Sequence, residues 1–242
     1  MAELFGFRIT RKKDEAESFT LPSSDDGTID IAGGGFYSSV YDANGKDKTQ
    51  YDLIKRYRNI SQQPECDSAI EDIVSEAIAA NELDAPISVS LDGLNVSSNV
   101  KKRIRQEFDR VLQLLQFQEK GHDIFRRWYV DGRLFYHKVI DDKNPKKGIQ
   151  ELRPIDPRFI KKMRKVNKDK DQNSGVEVIK SITEYYLFND TSAGIGSTGD
   201  GVKIAKDSIA NVTSGIADQK GKVLSYLHKA LKPMNQLRMI ED

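Results

Sequence analysis

Residues 128–160 read WYVDGRLFYHKVIDDKNPKKGIQELRPIDPRFI, and the reading of this stretch decides the fold. Leu134, Tyr136 and Val139 offer apolar faces, and the run 133–140 is rich in aromatic and β-branched residues, which suit a pleated, half-buried surface. Residues 141–148 form a polar turn region with Asn144-Pro145 and a closing Gly148. Residues 149–155 return as a second short strand. Pro154 and Pro157 bracket Ile155-Asp156; each lacks a backbone donor, so the second strand is expected at a sheet edge or exit. Asp131-Gly132 reads as a tight helix-to-strand turn. The stretch is strand-and-turn architecture with no catalytic motif.

The surrounding chain has 242 residues, enough for one sizeable core or for one and a half domains of ordinary size. Apolar residues make up 38% and charged residues 31%, the balance of a folded protein with polar excursions. The net charge of +1 gives no whole-chain support for a duplex-coating protein. Cys66 is the single cysteine, so no intrachain disulfide can form. No apolar run approaches the roughly 20 residues that span a bilayer, and the first eleven residues do not read as a secretory signal.

Ahead of the opening stretch, residues 1–48 are expected to be a flexible arm, with Gly33-Gly34-Gly35 and the run 23–27 as turn-forming segments. The apolar patches 4–9 and 36–41 are candidate docking segments. Helical periodicity begins near Thr49 with Tyr51, Ile54 and Tyr57. A second helix follows Pro64, carried by Ala69, Ile70, Ile73, Val74, Ala77 and Ile78, and ends at Asn81 and the turn 84–86. Residues 87–91 alternate and predict a strand. Ser97 or Ser98 caps a helix with the stripe Val100, Ile104, Phe108, Val111, Leu112 and Leu115, which Gly121 breaks or joins to a further helix. After residue 160, strands are expected over 159–166, 176–188, 202–205 and 208–213, with polar loops at 167–175 and 189–201. Residues 222–242 read as one helix whose seam is Val223, Leu227, Ala230, Met234 and Leu237, with Pro233 as a kink or restart. No Gly, Asn or Pro ends it, which suggests a chain cut inside an element. The fold class is α+β, with an arm (1–48), an α+β domain (49–221) and the start of a helical region (222–242).

Candidate chemistry is sparse. The glycine run 194–201 lacks the Gly-Lys-Ser/Thr ending of a phosphate loop. His122, His137 and His228 are far apart, and no metal-ligand spacing exists. No cofactor is implied. Asp131, Asp141, Asp142, Glu151 and Asp156 cluster in sequence, and a divalent-metal hydrolase built on them is a minor reading; turn and capping roles explain most of them. The basic run 158–170 is a candidate phosphate contact, with Arg158, Lys161, Lys162, Arg164 and Lys165 at its head, and it supports the alternative of a nucleic-acid-binding module. The competing reading is a solvated hairpin edge, where lysines also block strand pairing.

Three segments taken together carry a resemblance: 62–84 (QQPECDSAIEDIVSEAIAANELD), 128–160, and 225–242 (SYLHKALKPMNQLRMIED). Over roughly residues 49–242 the chain resembles the portal vertex proteins of large contractile-tailed bacteriophages. The resemblance implies a wing region leading into a long amphipathic stem-type helix, in a homo-oligomeric, dodecameric ring at one vertex of the phage head. It implies as partners the major capsid and scaffold proteins, the packaging ATPase (terminase large subunit), neck and tail proteins, and double-stranded DNA in the channel. It implies no catalysis and no small-molecule substrate, and places the protein in the virion and, during assembly, in the host cytoplasm. The seam from Val223 to Leu237 is then a candidate packing or subunit interface.

Overall fold

The computed structural model describes residues 2–4, 7–9, 26–32, 50–79, 87–141, 143–170, 177–189, 201–219 and 221–241. Short strands β1 (Ala2–Leu4) and β2 (Phe7–Ile9) pair antiparallel. β3 (Ile29–Ala32) follows, then helices α1 (Gln50–Ile60), α2 (Pro64–Ala77), α3 (Ser98–Leu115) and α4 (Phe117–Asp131). The opening stretch supplies β4 (Arg133–Ile140) and β5 (Ile149–Ile155), antiparallel as expected, with a register shift between Val139 and Ile140. The chain continues through β6 (Ile160–Lys170), β7 (Glu177–Phe188), β8 (Val202–Ala205), β9 (Ile209–Thr213) and α5 (Leu231–Glu241).

The described strands form two larger sheets. One has the order β5-β4-β9, which leaves the proline-bearing β5 at an edge, where a missing N–H costs no ladder bond. The other has the order β3-β6-β7-β8. Phe135, Ile160, Tyr186 and Ile209 form a buried cluster that joins the two sheets, with the Phe135 and Tyr186 rings edge to face at 6.0 Å. A second cluster is helical. Leu53, Tyr57, Ile70, Val74 and Val130 pack together with Leu227, drawn from α1, α2, α4 and the turn before α5. Of the apolar positions read from the sequence, Tyr57 of α1 and Ile70 and Val74 of α2 face this core, whereas Tyr51, Ala69, Ile73 and Ala77 are exposed.

Several expectations are corrected. Residues 87–91 keep the alternating exposure of a strand but form no ladder, because no described strand lies beside them. Gly121 does not break the long helix. The break is at Gln116, in the left-handed conformation (φ 50°), and Gly121 is buried inside α4. A Cβ at Gly121 would come within 3.0 Å of the Phe117 ring, so glycine there makes room for an aromatic one turn earlier. Ser97 occupies the N-cap of α3 with an extended backbone, but its side chain accepts no capping bond.

Residues 222–242 are not one helix. Val223 lies in a β-bridge with Ala217, residues 226–230 form a 3-10 turn, and the α-helix restarts at Leu231 with Pro233 in its first turn. Val223 and Leu227 are buried, whereas Ala230, Met234 and Leu237 are half-buried, so the five do not form one helical seam. α5 has 11 residues, and no long stem-type helix is seen among the described residues. Within the stretch read as a flexible arm, 29–32 is built into a sheet as β3. Gly33-Gly34-Gly35, the patch 36–41, the turn 84–86 and the glycine run up to residue 200 lie outside the described residues. No described helix is long and apolar enough to cross a membrane.

Candidate functional site

The site with the densest side-chain chemistry is the corner where α4 meets β4. α4 ends at Asp131, and Gly132 turns the chain at φ 72°, donating its N–H to Trp128 O at 2.9 Å. Residues 214–219 and 221–227 cross this corner as a strap. Ser214 N donates to Gly132 O at 2.8 Å, and Leu224 N donates to Ile216 O at 2.8 Å, closing the strap on itself. The approach at Gly132 is tight: a Cβ there would lie 2.8 Å from Leu224 O and 2.9 Å from the backbone of Ser225.

Aromatic and polar side chains fix the strap. Tyr226 stacks on Tyr129, with centroids 5.1 Å apart and an interplanar angle of 4°, and leans on Trp128 at 5.4 Å. Trp128 Nε1 donates to Thr213 O at 3.2 Å. The Arg133 side chain donates to Val223 O, and burial pulls its guanidinium down to about 10, against the opposing pull of Tyr57 and Asp131. It stays charged at neutral pH. The Tyr57 hydroxyl and His228 Nδ1 share a hydrogen bond of 2.8 Å, tying α1 to the turn that launches α5.

Ser225 is 1% exposed. Its hydroxyl donates to Tyr129 O at 3.0 Å and accepts from Leu227 N at 3.0 Å. Ser225→Ala would leave a buried carbonyl and a buried N–H without that partner. It is expected to lower stability by about 1–3 kcal/mol in urea denaturation.

An ion-paired cluster sits on the other side of Asp131. Arg58 reaches both Asp131 oxygens, Nε at 2.9 Å and Nη2 at 2.7 Å, and also Asp156 Oδ2 at 3.0 Å. Asp156 further accepts from Arg158, through the backbone N–H at 2.9 Å and Nη2 at 2.8 Å. The Arg158 guanidinium lies over Phe159 and Tyr51, at 5.2 and 5.6 Å from the ring centres. Gln50 anchors the same turn by donating to Pro157 O at 2.5 Å and Ile160 O at 3.1 Å. The cluster borders a cleft of about 570 Å³ that includes Gln62, Arg127, Tyr136 and Pro154.

These contacts decide the carboxylate reading. Arg58 occupies the space between Asp131 and Asp156 where a divalent ion would have to sit. Asp141 pairs with Lys147 at 3.7 Å and Glu151 with Arg153 at 2.8 Å, each on its own turn or strand. Among the described residues no three His, Cys, Asp or Glu side chains gather around a common point; Asp142 lies outside them. Burial by itself would raise the Asp156 carboxyl, but bonds from Arg158 and then Arg58 outweigh it and hold it at about 2, from an ordinary 3.8. A depressed carboxylate stabilises the fold above its unfolded value and loses that contribution as pH falls through the folded one. About 1–2 kcal/mol, discounted for partial exposure, is therefore expected to disappear between about pH 4 and pH 2. Asp156→Asn should flatten that part of the stability–pH curve.

The basic run is distributed over a central strand, not an edge. β6 lies between β3, parallel to it, and β7, antiparallel to it. Asp30, Arg164 and Glu184 are in register across the three strands; Arg164 is 3.5 Å from Asp30 and 3.3 Å from Glu184. Lys162 pairs with Asp26 and, at 3.6 Å, with Glu184. Lys162 and Arg164 are buried, Lys161 and Arg158 are half-buried, and Lys165 is exposed. Burial pushes the Lys161 amine below its ordinary value. The Lys206 amine, ahead of the opposing effect of burial, pulls the Glu184 carboxyl down. The carboxylates that partner β6 come partly from residues 26–30, a link that residue spacing cannot show because 136 positions separate Asp26 from Lys162.

Residues 50–242 match the family model of the bacteriophage T4-like portal protein (Gp20), which covers all five described helices and both larger sheets except β3. The chain belongs to the T4-like portal protein family. This portal-family chain is 34% identical over 250 residues to a portal protein of Vibrio phage KVP40, an alignment that covers 96% of the chain and 48% of that relative. It is 29% identical over 254 residues to a portal protein of Salmonella phage ViI, covering 97% of the chain and 45% of that relative. The chain thus spans about half the length of the curated relatives it matches. Within the portal-family region, the corner at Gly132 and the Arg58 cluster are structural devices that spacing rules for active sites do not detect. The signal that points to them is the Asp131-Gly132 turn itself, together with the aromatic triplet of Phe125, Trp128 and Tyr129 beside it.

Proposed function

We infer that this chain is a structural subunit of a phage portal ring, the assembly that forms the head-vertex channel for DNA packaging and ejection and docks the packaging motor and the neck and tail. The observation that carries the reading is the family match over residues 50–242. The physical character of the chain supports it. The dense polar chemistry at the α4–β4 corner is spent on internal ion pairs and backbone bonds, which stiffen a joint and present no reactive group. The strap holds α5 to the helical core through Tyr57, Arg133 and Ser225, so the C-terminal helix moves with the domain. Residues 1–48 serve as an arm that lends β3 to the sheet, 49–221 as the wing-like domain, and 222–242 as the passage to a helical region. In that role the half-buried face of α5 with Met234 and Leu237 is a packing surface for other helices of the ring. The partners are further copies of the subunit, the major capsid and scaffold proteins, the packaging ATPase, neck and tail proteins, and double-stranded DNA in the channel.

The test is assembly. The protein is expected to form closed cyclic oligomers, since head-to-tail interfaces that close generate rings. Electron microscopy and mass photometry over a concentration series would show them, and a species that stays monomeric throughout would refute the reading. Lys165 is the exposed member of the basic set, so a mobility shift of short duplex DNA at low salt, abolished by Lys165→Glu, would instead favour a nucleic-acid-binding module.

A further inference from the structure

α2 and α3 carry opposite charge and lie on opposite flanks of α4. α2 has five carboxylates and no basic side chain; α3 has five basic residues against two acidic ones. Arg126 leaves one flank of α4 to pair with Asp67 and Glu71 of α2. Lys120, Ile124 and Arg127, one and two turns apart, line the other flank beside the end of α3.

The outward faces of the two helices match each other in kind. On α2, Glu65, Ala69, Asp72, Ile73 and Glu76 recur at helical spacing, opposite the buried Ile70 and Val74. Glu65, Asp72 and Glu76 are exposed and make no ion pair among the described residues, and Ile73 is 37% exposed beside them. On α3, Lys101, Lys102 and Arg105 form a basic group in the first two turns, also without ion pairs among the described residues. Next to it runs an apolar line with Val100 at 43% and Val111 at 39% exposure, continued before the helix by Val96 at 40%. α3 has the apolar stripe of a packed helix, yet it buries no residue fully.

We propose that the acidic face of α2 docks on the basic, apolar-flanked face of α3 of a second copy of this chain. The occupant is a second copy because each face supplies what the other lacks: Glu65, Asp72 and Glu76 against Lys101, Lys102 and Arg105, with Ile73 against the Val100–Val111 line. A partner of one charge sign would satisfy one face and leave the other open. With α2 and α3 on different flanks of α4, the contact is taken as head-to-tail, propagating from copy to copy. Opposite charge fixes the register and speeds encounter, and the apolar lines supply the buried area. This rests on the reading of the chain as a ring subunit and names the surface that ring closure uses.

The test is a charge exchange on the chain. One variant carries Glu65→Lys, Asp72→Lys and Glu76→Lys; the other carries Lys101→Glu, Lys102→Glu and Arg105→Glu. Circular dichroism confirms that both fold, and sedimentation equilibrium up to the solubility limit measures association. Each variant alone is expected to self-associate at least about tenfold more weakly than the parent. An equimolar mixture is expected to recover association, because the reversed α2 of one meets the reversed α3 of the other. Parental affinity in both variants would overturn the proposed surface and leave the ring reading standing. Weakened variants that do not complement on mixing would overturn the pairing of these two faces. A parent that never associates would overturn the surface and the ring reading together.

Discussion

Replacing Gly132 by alanine is expected to destabilise the chain by about 3–4 kcal/mol, among the largest effects available to a single methyl group. Two costs add. The left-handed backbone at φ 72° strains any residue with a Cβ by about 1–2 kcal/mol. The new methyl also meets backbone atoms of residues 224 and 225 at 2.8–2.9 Å, and backbone cannot rotate out of the way as a side chain can. The strap must lift, which loosens the Ser214–Gly132 bond and the stacking of Tyr226 on Tyr129. Gly215→Ala is the internal control: the same positive φ, 75°, but nothing within 4 Å of the new Cβ. It is expected to cost only the backbone strain. Urea denaturation of both variants, with unchanged slope, measures the difference; equal losses would show that the close approach contributes nothing.

Arg58→Ala is expected to cost about 2–4 kcal/mol. The Asp131 side chain is 4% exposed, and Arg58 supplies the two hydrogen bonds to its carboxylate. Removing the guanidinium leaves a buried carboxylate without those donors, with Arg133 as a neighbouring charge only, a more expensive state than an apolar replacement of the whole pair. Arg58 is itself 33% exposed, so water enters and keeps the loss below the upper range for buried pairs. The double variant Arg58→Met, Asp131→Asn is therefore expected to be more stable than Arg58→Ala alone. Arg58→Lys should recover only part of the loss, since a point charge cannot engage Asp131 and Asp156 in the forked geometry of a guanidinium. A double-mutant cycle with additive losses would show that the contact is energetically idle.

What could be read in advance followed from periodicity. α1, α2, α3 and the β4–β5 hairpin lie where apolar spacing and turn residues put them, because a side chain's face is set by local geometry alone. The prolines at 154 and 157 marked the sheet edge for the same local reason. Local rules fail where a partner is missing or remote. Residues 87–91 have the strand alternation and no neighbour to pair with. The basic run reads as a solvated edge because its carboxylates, Asp26, Asp30 and Glu184, come from other segments, two of them from a stretch whose composition signals an arm. The C-terminal segment has helical spacing throughout, yet 223–225 is drawn out as a strap because Gly132 opens a slot for it and Arg133, Tyr129 and Ser214 bond its backbone and side chains.

The sequence by itself determined the α+β class, most of the elements and, through segment similarity, the portal family. Those properties depend on short-range pattern and on similarity along the chain. Only the tertiary structure decided that Asp131 and Asp156 are clasped by one arginine, that β6 is central, and that the chain's C-terminal helix is tied to the core. Each of these is a contact between residues that no local rule relates: about 73 positions apart for Arg58 and Asp131, and about 171 for Tyr57 and His228. Long-range polar contacts form wherever the packed elements happen to bring a donor to an acceptor, so they become legible once the packing exists.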